Sequence, residues 1–236
     1  MRQKMALALC LLSSLVARPS TAMQLERVGS DLYAKGEIVD ADFLAFQTQL
    51  EKPGLSRLIL VNSPGGNLWT ALRIAEQVRD AKLHTVVSGS CLSGCSLLFV
   101  AGRQRQFGSG YPARATLIGI HGAHDGNSRK LLPGASIQIA AFYRKQLGAK
   151  MDSGVLREAL YGMKDYSGLL VIPEMQRPRA DGRDVRLCPS LRTRTESCRV
   201  YPGQNALSLG VVTNAHTVAL RLPSSMRLQK AITVPN

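Results

Sequence analysis

The sequence predicts an α/β protein, and three observations carry that prediction. Short apolar runs at Arg57–Asn62, His84–Val87 and Ala115–Ile120 read as strands, and the first is apolar on both faces, as a strand covered on both sides must be. Helical segments separate them: Leu68, Ala71, Leu72, Ala75 and Val78 mark one face of an amphipathic helix, and a second apolar run leads from Ser96 to Gly102. Glycines punctuate the strand-to-helix joins at positions 65, 66, 89 and 94, where sharp turns need residues without a Cβ. Strand, helix, strand, helix, strand is the order of right-handed crossovers. With 236 residues, 45% of them apolar, the chain has room for one full-sized core and an insertion.

The remaining elements follow in order. Glu26–Ile38 reads as one or two edge strands around a glycine. Asp40 is the expected N-cap of a helix carrying Phe43, Phe46, Gln47 and Leu50, ended by Pro53-Gly54. Arg103–Phe107 is a further strand. After a polar turn at Ala123–Arg129, helices are predicted over Gly134–Lys150 and after Asp152, then a short strand at Leu169–Ile172. Residues 176–203 are rich in proline, arginine and glycine and lack periodicity, which predicts a basic loop insertion. Residues 222–236 are expected to form a loosely held tail.

The N-terminus reads as a leader. Arg2-Gln3-Lys4 is basic, Met5–Ala17 is an apolar run of 13, too short to span a bilayer comfortably, and Ser20-Thr21-Ala22 is small. This predicts a signal peptide over residues 1–22 with cleavage after Ala22, cleavage after Ala17 and an uncleaved anchor being the alternatives. Leu9 is too large for Cys10 to be a lipoprotein site. The expected product, residues 23–236, is exported to a bacterial periplasm.

Export shapes the reading of the cysteines and charges. Cys91, Cys95, Cys188 and Cys198 allow three pairings. An oxidising compartment favours Cys188–Cys198 across a short arginine-rich loop, while Cys91 and Cys95 are either free or paired. No histidine stands near them, so no zinc site is expected, and no cofactor is predicted. The net charge is +14, with Arg177, Arg179, Arg183, Arg186, Arg192, Arg194 and Arg199 clustered. A leader and poor aromatic interleaving argue against a nucleic-acid partner. The cluster reads as a solvated loop, with contact to an anionic membrane surface or an acidic partner as the alternative.

Chemistry concentrates at three strand ends. Asn62-Ser63-Pro64-Gly65-Gly66 offers glycine amides, Cys91-Leu92-Ser93-Gly94-Cys95 places a serine where a helix begins, and Ile118-Gly119-Ile120-His121 ends in an imidazole. Unpaired N–H groups at a helix start favour a developing oxyanion beside a nucleophile. Serine, imidazole and glycine amides are the components of acyl transfer.

The order and spacing of these motifs, Ser93 about 27 residues after Gly66 and His121 about 28 further on, resemble the proteolytic subunit of the Clp protease. More closely they resemble exported Clp-like serine peptidases, whose serine often lies between two cysteines. The resemblance covers Leu32–His121 well and Ala206–Thr213 weakly, where Gly210-Val211-Val212 matches the family's last strand after its last helix. It implies a ClpP/crotonase-like spiral of repeated β-β-α units. It implies Ser93 as nucleophile, His121 as general base with His124 as fallback, and the backbone N–H groups of Gly66 and Gly94 as the oxyanion hole. The third triad member falls on Asp165 when counted forward and nearest to Glu196 when counted back; Asp125 and a serine–lysine dyad through Lys145 or Lys150 are further alternatives. The function implied is an exported endopeptidase acting on a peptide or protein, without an ATPase partner. Self-association into a homo-oligomer is a further expectation from the resemblance. A catalytically inactive envelope scaffold and an acyl-CoA enzyme on the same fold are the competing readings.

Overall fold

The computed structural model describes residues 22–128, 130–162, 169–173, 184–188 and 198–227. Among them the chain forms β1 (Gln24–Val28), β2 (Asp31–Ile38), α1 (Asp42–Leu50), β3 (Arg57–Gly66), α2 (Leu68–Asp80), β4 (His84–Leu92) and α3 (Gly94–Val100). There follow β5 (Arg105–Phe107), β6 (Leu117–Ile120), α4 (Pro133–Leu147), α5 (Ser153–Tyr161), β7 (Leu169–Pro173), β8 (Asp184–Cys188) and β9 (Arg199–Asn205). The result is a mixed α/β fold built on one sheet, in the order β1-β2-β3-β4-β6-β7-β8-β9.

The middle of the sheet is parallel and its flanks are antiparallel. β2, β3, β4 and β6 run in the same direction, with Leu58 opposite Thr85 and Ser63 opposite Cys91. β4 divides its outer edge: Thr85–Val87 pairs with β5, and Ser90–Leu92 pairs with β6. This division brings the end of β6, and therefore His121, beside the end of β4, and therefore Ser93.

Alternation along β3 shows how both faces are covered. Leu58 and Leu60 enter the main core with Phe46, Ile74, Leu98 and Phe99. Ile59 and Val61 point the other way, into a smaller core with Tyr33, Val86, Tyr111, Leu222 and Met226. The segment expected as a loose tail is thus a cover over its described part: Met226 is fully buried and its carbonyl accepts from the Tyr111 hydroxyl at 3.2 Å. Residues 228–236 lie outside the described residues.

Three further expectations differ from the fold. Asp40 is not the cap of α1: the N-cap is Ala41, and Asp40 instead accepts from the Thr70 hydroxyl at 2.9 Å. The neighbouring Asp42 is the buried acid, taking Val39 N–H at 2.7 Å and Met23 N–H at 2.9 Å. Residues 206–213 form turns and bends rather than a helix and a strand, because Asn205 Oδ1 accepts from both Leu207 N–H and Ser208 N–H and closes the chain locally. Within the segment read as an irregular insertion, β8 pairs antiparallel with β7 and β9 antiparallel with β8, and the Cys188–Cys198 disulfide links these last two strands at their ends.

One buried cation ties the far end of α3. Arg105 donates to the carbonyls of Gly102 at 2.7 Å, Gly210 at 2.7 Å, Val211 at 3.0 Å and Val100 at 3.5 Å. Burial lowers its pKa from the ordinary guanidinium value, yet four carbonyls replace the water it loses. The fork geometry lets one side chain collect the last turn of α3 and the 210–211 turn together.

Candidate active site

Ser93 sits between β4 and α3 with φ 54° and ψ −127°. A side chain other than glycine in that region costs about 1–3 kcal/mol and persists only where its surroundings fix it. The surroundings are specific. Ser93 N–H donates to Gly119 O at 3.0 Å, tying the turn to β6. Its carbonyl accepts twice from Ser96, from the amide at 2.9 Å and from the hydroxyl at 2.5 Å. The Ser96 hydroxyl lies 2.7 Å from the Tyr143 hydroxyl of α4. Ser96 has one proton and gives it to Ser93 O, so Tyr143 donates to Ser96. Burial raises the Tyr143 pKa and keeps that donor protonated.

Cys91 and Cys95 are paired, with Cα atoms 5.2 Å apart. The bridge encloses Leu92, Ser93 and Gly94, and both cysteines are fully buried. Of the two states left open by the spacing, the paired one is present.

Glycines make the approach of the neighbouring strand possible. A Cβ on Gly65, whose φ is 90°, would lie 2.6 Å from the Ser93 Cβ and 2.7 Å from Gly94 N. A Cβ on Gly66, with φ 143°, would lie 2.1 Å from Ile38 O. A Cβ on Gly94 would meet the Ala71 Cβ at 2.9 Å and stand 3.6 Å from Gly66 N. The backbone at Gly66 and at Gly94 is therefore in close proximity, although the two residues belong to different strand ends.

Ser93, Gly66, Gly94, His121 and His124 line one cavity of about 470 Å³. Leu68, Leu97 and Ile139 give it apolar surface, and among the described residues Glu37 is the one carboxylate on its lining. His121 is buried, and its Nδ1 lies 2.7 Å from Gly122 O. A carbonyl only accepts, so Nδ1 bears the proton and Nε2 the lone pair that a general base needs. Burial first, and the nearby His124 second, lower the His121 pKa to about 4. The ring is therefore neutral at pH 7. His124 shares the same carbonyl, 2.8 Å from its Nδ1, with its ring 5.4 Å from that of His121.

The other sequence candidates are placed as follows. Asp165 and Glu196 lie outside the described residues. Lys145 and Lys150 are exposed and are not among the residues lining the cavity. Asp125 is partly exposed, is not among the residues lining the cavity, and its carboxylate accepts from the Asn127 and Ser128 amides, which closes a turn. Among the described residues no group of histidine, cysteine, aspartate or glutamate is arranged to hold a metal ion. Ser96 and Tyr143 are the residues that sequence reasoning passed over. A serine three residues after Ser93 was the available signal for the first; nothing marks the second.

In sequence the chain matches no protein-family model and no curated protein. In structure it is similar to several solved proteins. The membrane-bound stomatin-specific protease 1510-N, solved as a point mutant, is 13% identical, with a TM-score of 0.48, over 79% of this chain and 77% of that one. An enoyl-CoA hydratase from Polaromonas sp. JS666 is 13% identical, with a TM-score of 0.43, over 84% of this chain and 71% of that one. DspI of Pseudomonas aeruginosa is 13% identical, with a TM-score of 0.41, over 63% of this chain and 68% of that one.

Proposed function

We propose that the chain is an exported serine hydrolase of the Clp-protease-like type that cleaves peptide bonds. One observation supports it above the others: Ser93, His121, Gly66 and Gly94, drawn from three separate strand ends, line the same cavity. In this reading Ser93 Oγ attacks a carbonyl carbon. His121 Nε2 takes the hydroxyl proton and returns it to the leaving amine, and the amides of Gly66 and Gly94 receive the oxyanion. The Gly122 carbonyl holds the imidazole in the required tautomer, the orienting task an acid performs in a triad. A low pKa makes His121 a weak base, which fits a site where the oxyanion amides supply much of the rate. Two disulfides suit the oxidising compartment the leader implies. Self-association and a peptide substrate belong to the same reading.

The test is labelling of the oxidised, exported protein with a fluorophosphonate probe, read by intact mass. Wild type is expected to gain one adduct on Ser93, and Ser93→Ala none. Replacement of His121 by alanine is expected to slow labelling by about 10²–10⁴, the range of general-base contributions. A folded wild type inert to every serine-directed probe sinks the hydrolase and leaves the envelope scaffold.

A further inference from the structure

We infer that cleavage after Ala22 builds a buried ion pair between the new α-ammonium group of Met23 and Asp42. This rests on the export reading above, and it explains a carboxylate that the fold otherwise leaves costly. Asp42 is fully buried at the start of α1. Among the described residues its two oxygens take neutral amides, Met23 N–H on Oδ1 at 2.9 Å and Val39 N–H on Oδ2 at 2.7 Å. None of the ion pairs among the described residues involves it. A buried carboxylate without a cation is among the most expensive groups a core can hold. Burial accordingly raises its pKa, while the two amides work against that shift.

The nitrogen that meets Asp42 is the one that the predicted cleavage would free. Hydrolysis of the Ala22–Met23 bond by a signal-cleaving peptidase consumes one water. It leaves a carboxylate on Ala22 and an ammonium on Met23 at neutral pH. Ala22 is exposed and Met23 is buried, with its Cα facing the bare backbone of Gly36 on β2. The predicted cleavage point therefore coincides with the nitrogen that meets the buried carboxylate. Val39, held by the other carboxylate oxygen, follows Ile38, whose backbone packs on Gly66 and whose carbonyl takes Asn67 N–H at 2.8 Å. Processing thus fixes the chain next to one of the two proposed oxyanion amides.

The experiment exports the full chain alongside a variant with Gly-Ser inserted between Ala22 and Met23. The insertion keeps the small residues ahead of the cut but moves the ammonium two residues away. Intact mass of the wild type is expected to begin at Met23. The inserted variant is expected to melt about 10 °C lower, since losing one partner of a buried pair is strongly destabilising. In an Asp42→Asn background the insertion is expected to change nothing further. Should that background not fold, the insertion variant decides alone, because it retains every buried side chain. A mature chain starting elsewhere, or equal melting of the two proteins, overturns the pair. Retention of the leader overturns the export reading with it, whereas a correct cut with equal melting overturns the pair alone.

Discussion

The two ends of α3 are built on opposite principles. At its start the backbone is held in an unfavourable conformation by small residues, a disulfide and a two-hydroxyl relay. At its end the backbone is ordinary, and a single buried guanidinium gathers four carbonyls. The helix has seven residues, so neither end is far from the other. The difference is one of purpose: the first end concentrates strain at a serine that lines a cavity, and the second supplies the stability that lets the strain persist. Three perturbations separate them.

The largest effect is expected from Arg105→Met. It leaves carbonyls at Val100, Gly102, Gly210 and Val211 without their donor. A loss of roughly 3–5 kcal/mol follows from stripping one partner from a buried charged network. Thermal melting should show it. Labelling of Ser93 per folded molecule should stay unchanged, which marks this end as structural.

Ser96→Ala and Tyr143→Phe should do the reverse. Each removes one hydroxyl from the relay that ends on Ser93 O. Each should slow labelling by about five- to tenfold, the scale of one hydrogen bond, at a stability cost of about 1 kcal/mol. The two act in series, so the double variant should be little slower than either single one. Labelling that falls only in step with the unfolded fraction would assign the relay to stability alone.

The smallest effect concerns pH. His121 stays neutral down to about pH 4, so labelling should vary less than about twofold between roughly pH 5 and 7, where an ordinary imidazole near 6.5 would cut it severely. Stability is linked to the same proton. The unfolded ring gains it below about 6.5 and the folded one only near 4, so the unfolded state binds more protons in between. His121 therefore contributes stability above about pH 6.5 that is lost as pH falls toward 4. Chemical denaturation at about pH 7 and pH 4.5, compared with His121→Gln, isolates that contribution.

The contrast also marks what the sequence could disclose. Ser93, Gly66, Gly94 and His121 could be singled out as candidates because strand ends flanked by glycine leave a short pattern at fixed spacing. Their convergence is a matter of which strands pair, and β4 pairing with β6 brings it about. Tyr143 was not legible, since a tyrosine on a helix face reads as core whether or not its hydroxyl has work to do. Asp40 and Asp42 show a finer limit. Both are acids at a helix start, and propensity favours the earlier one, but only the later one faces inward. β8 and β9 stayed hidden because arginine, proline and glycine conceal strands whose pairing is held by neighbours and a disulfide. The helix expected before Gly210 came from the weak resemblance over Ala206–Thr213 alone, and the Asn205 side chain closes that segment into a turn instead.

The bridge between Cys91 and Cys95 dates the assembly of the molecule. Its sulfurs belong to residues with no exposed surface, so an oxidant must reach them before β4 and α3 close over the pair. Afterwards a reductant has no route in without opening the protein. Burial therefore shields the bridge from reductants while the protein stays folded, and a chain that matures among reducing thiols is expected to finish packing with its central turn unstapled.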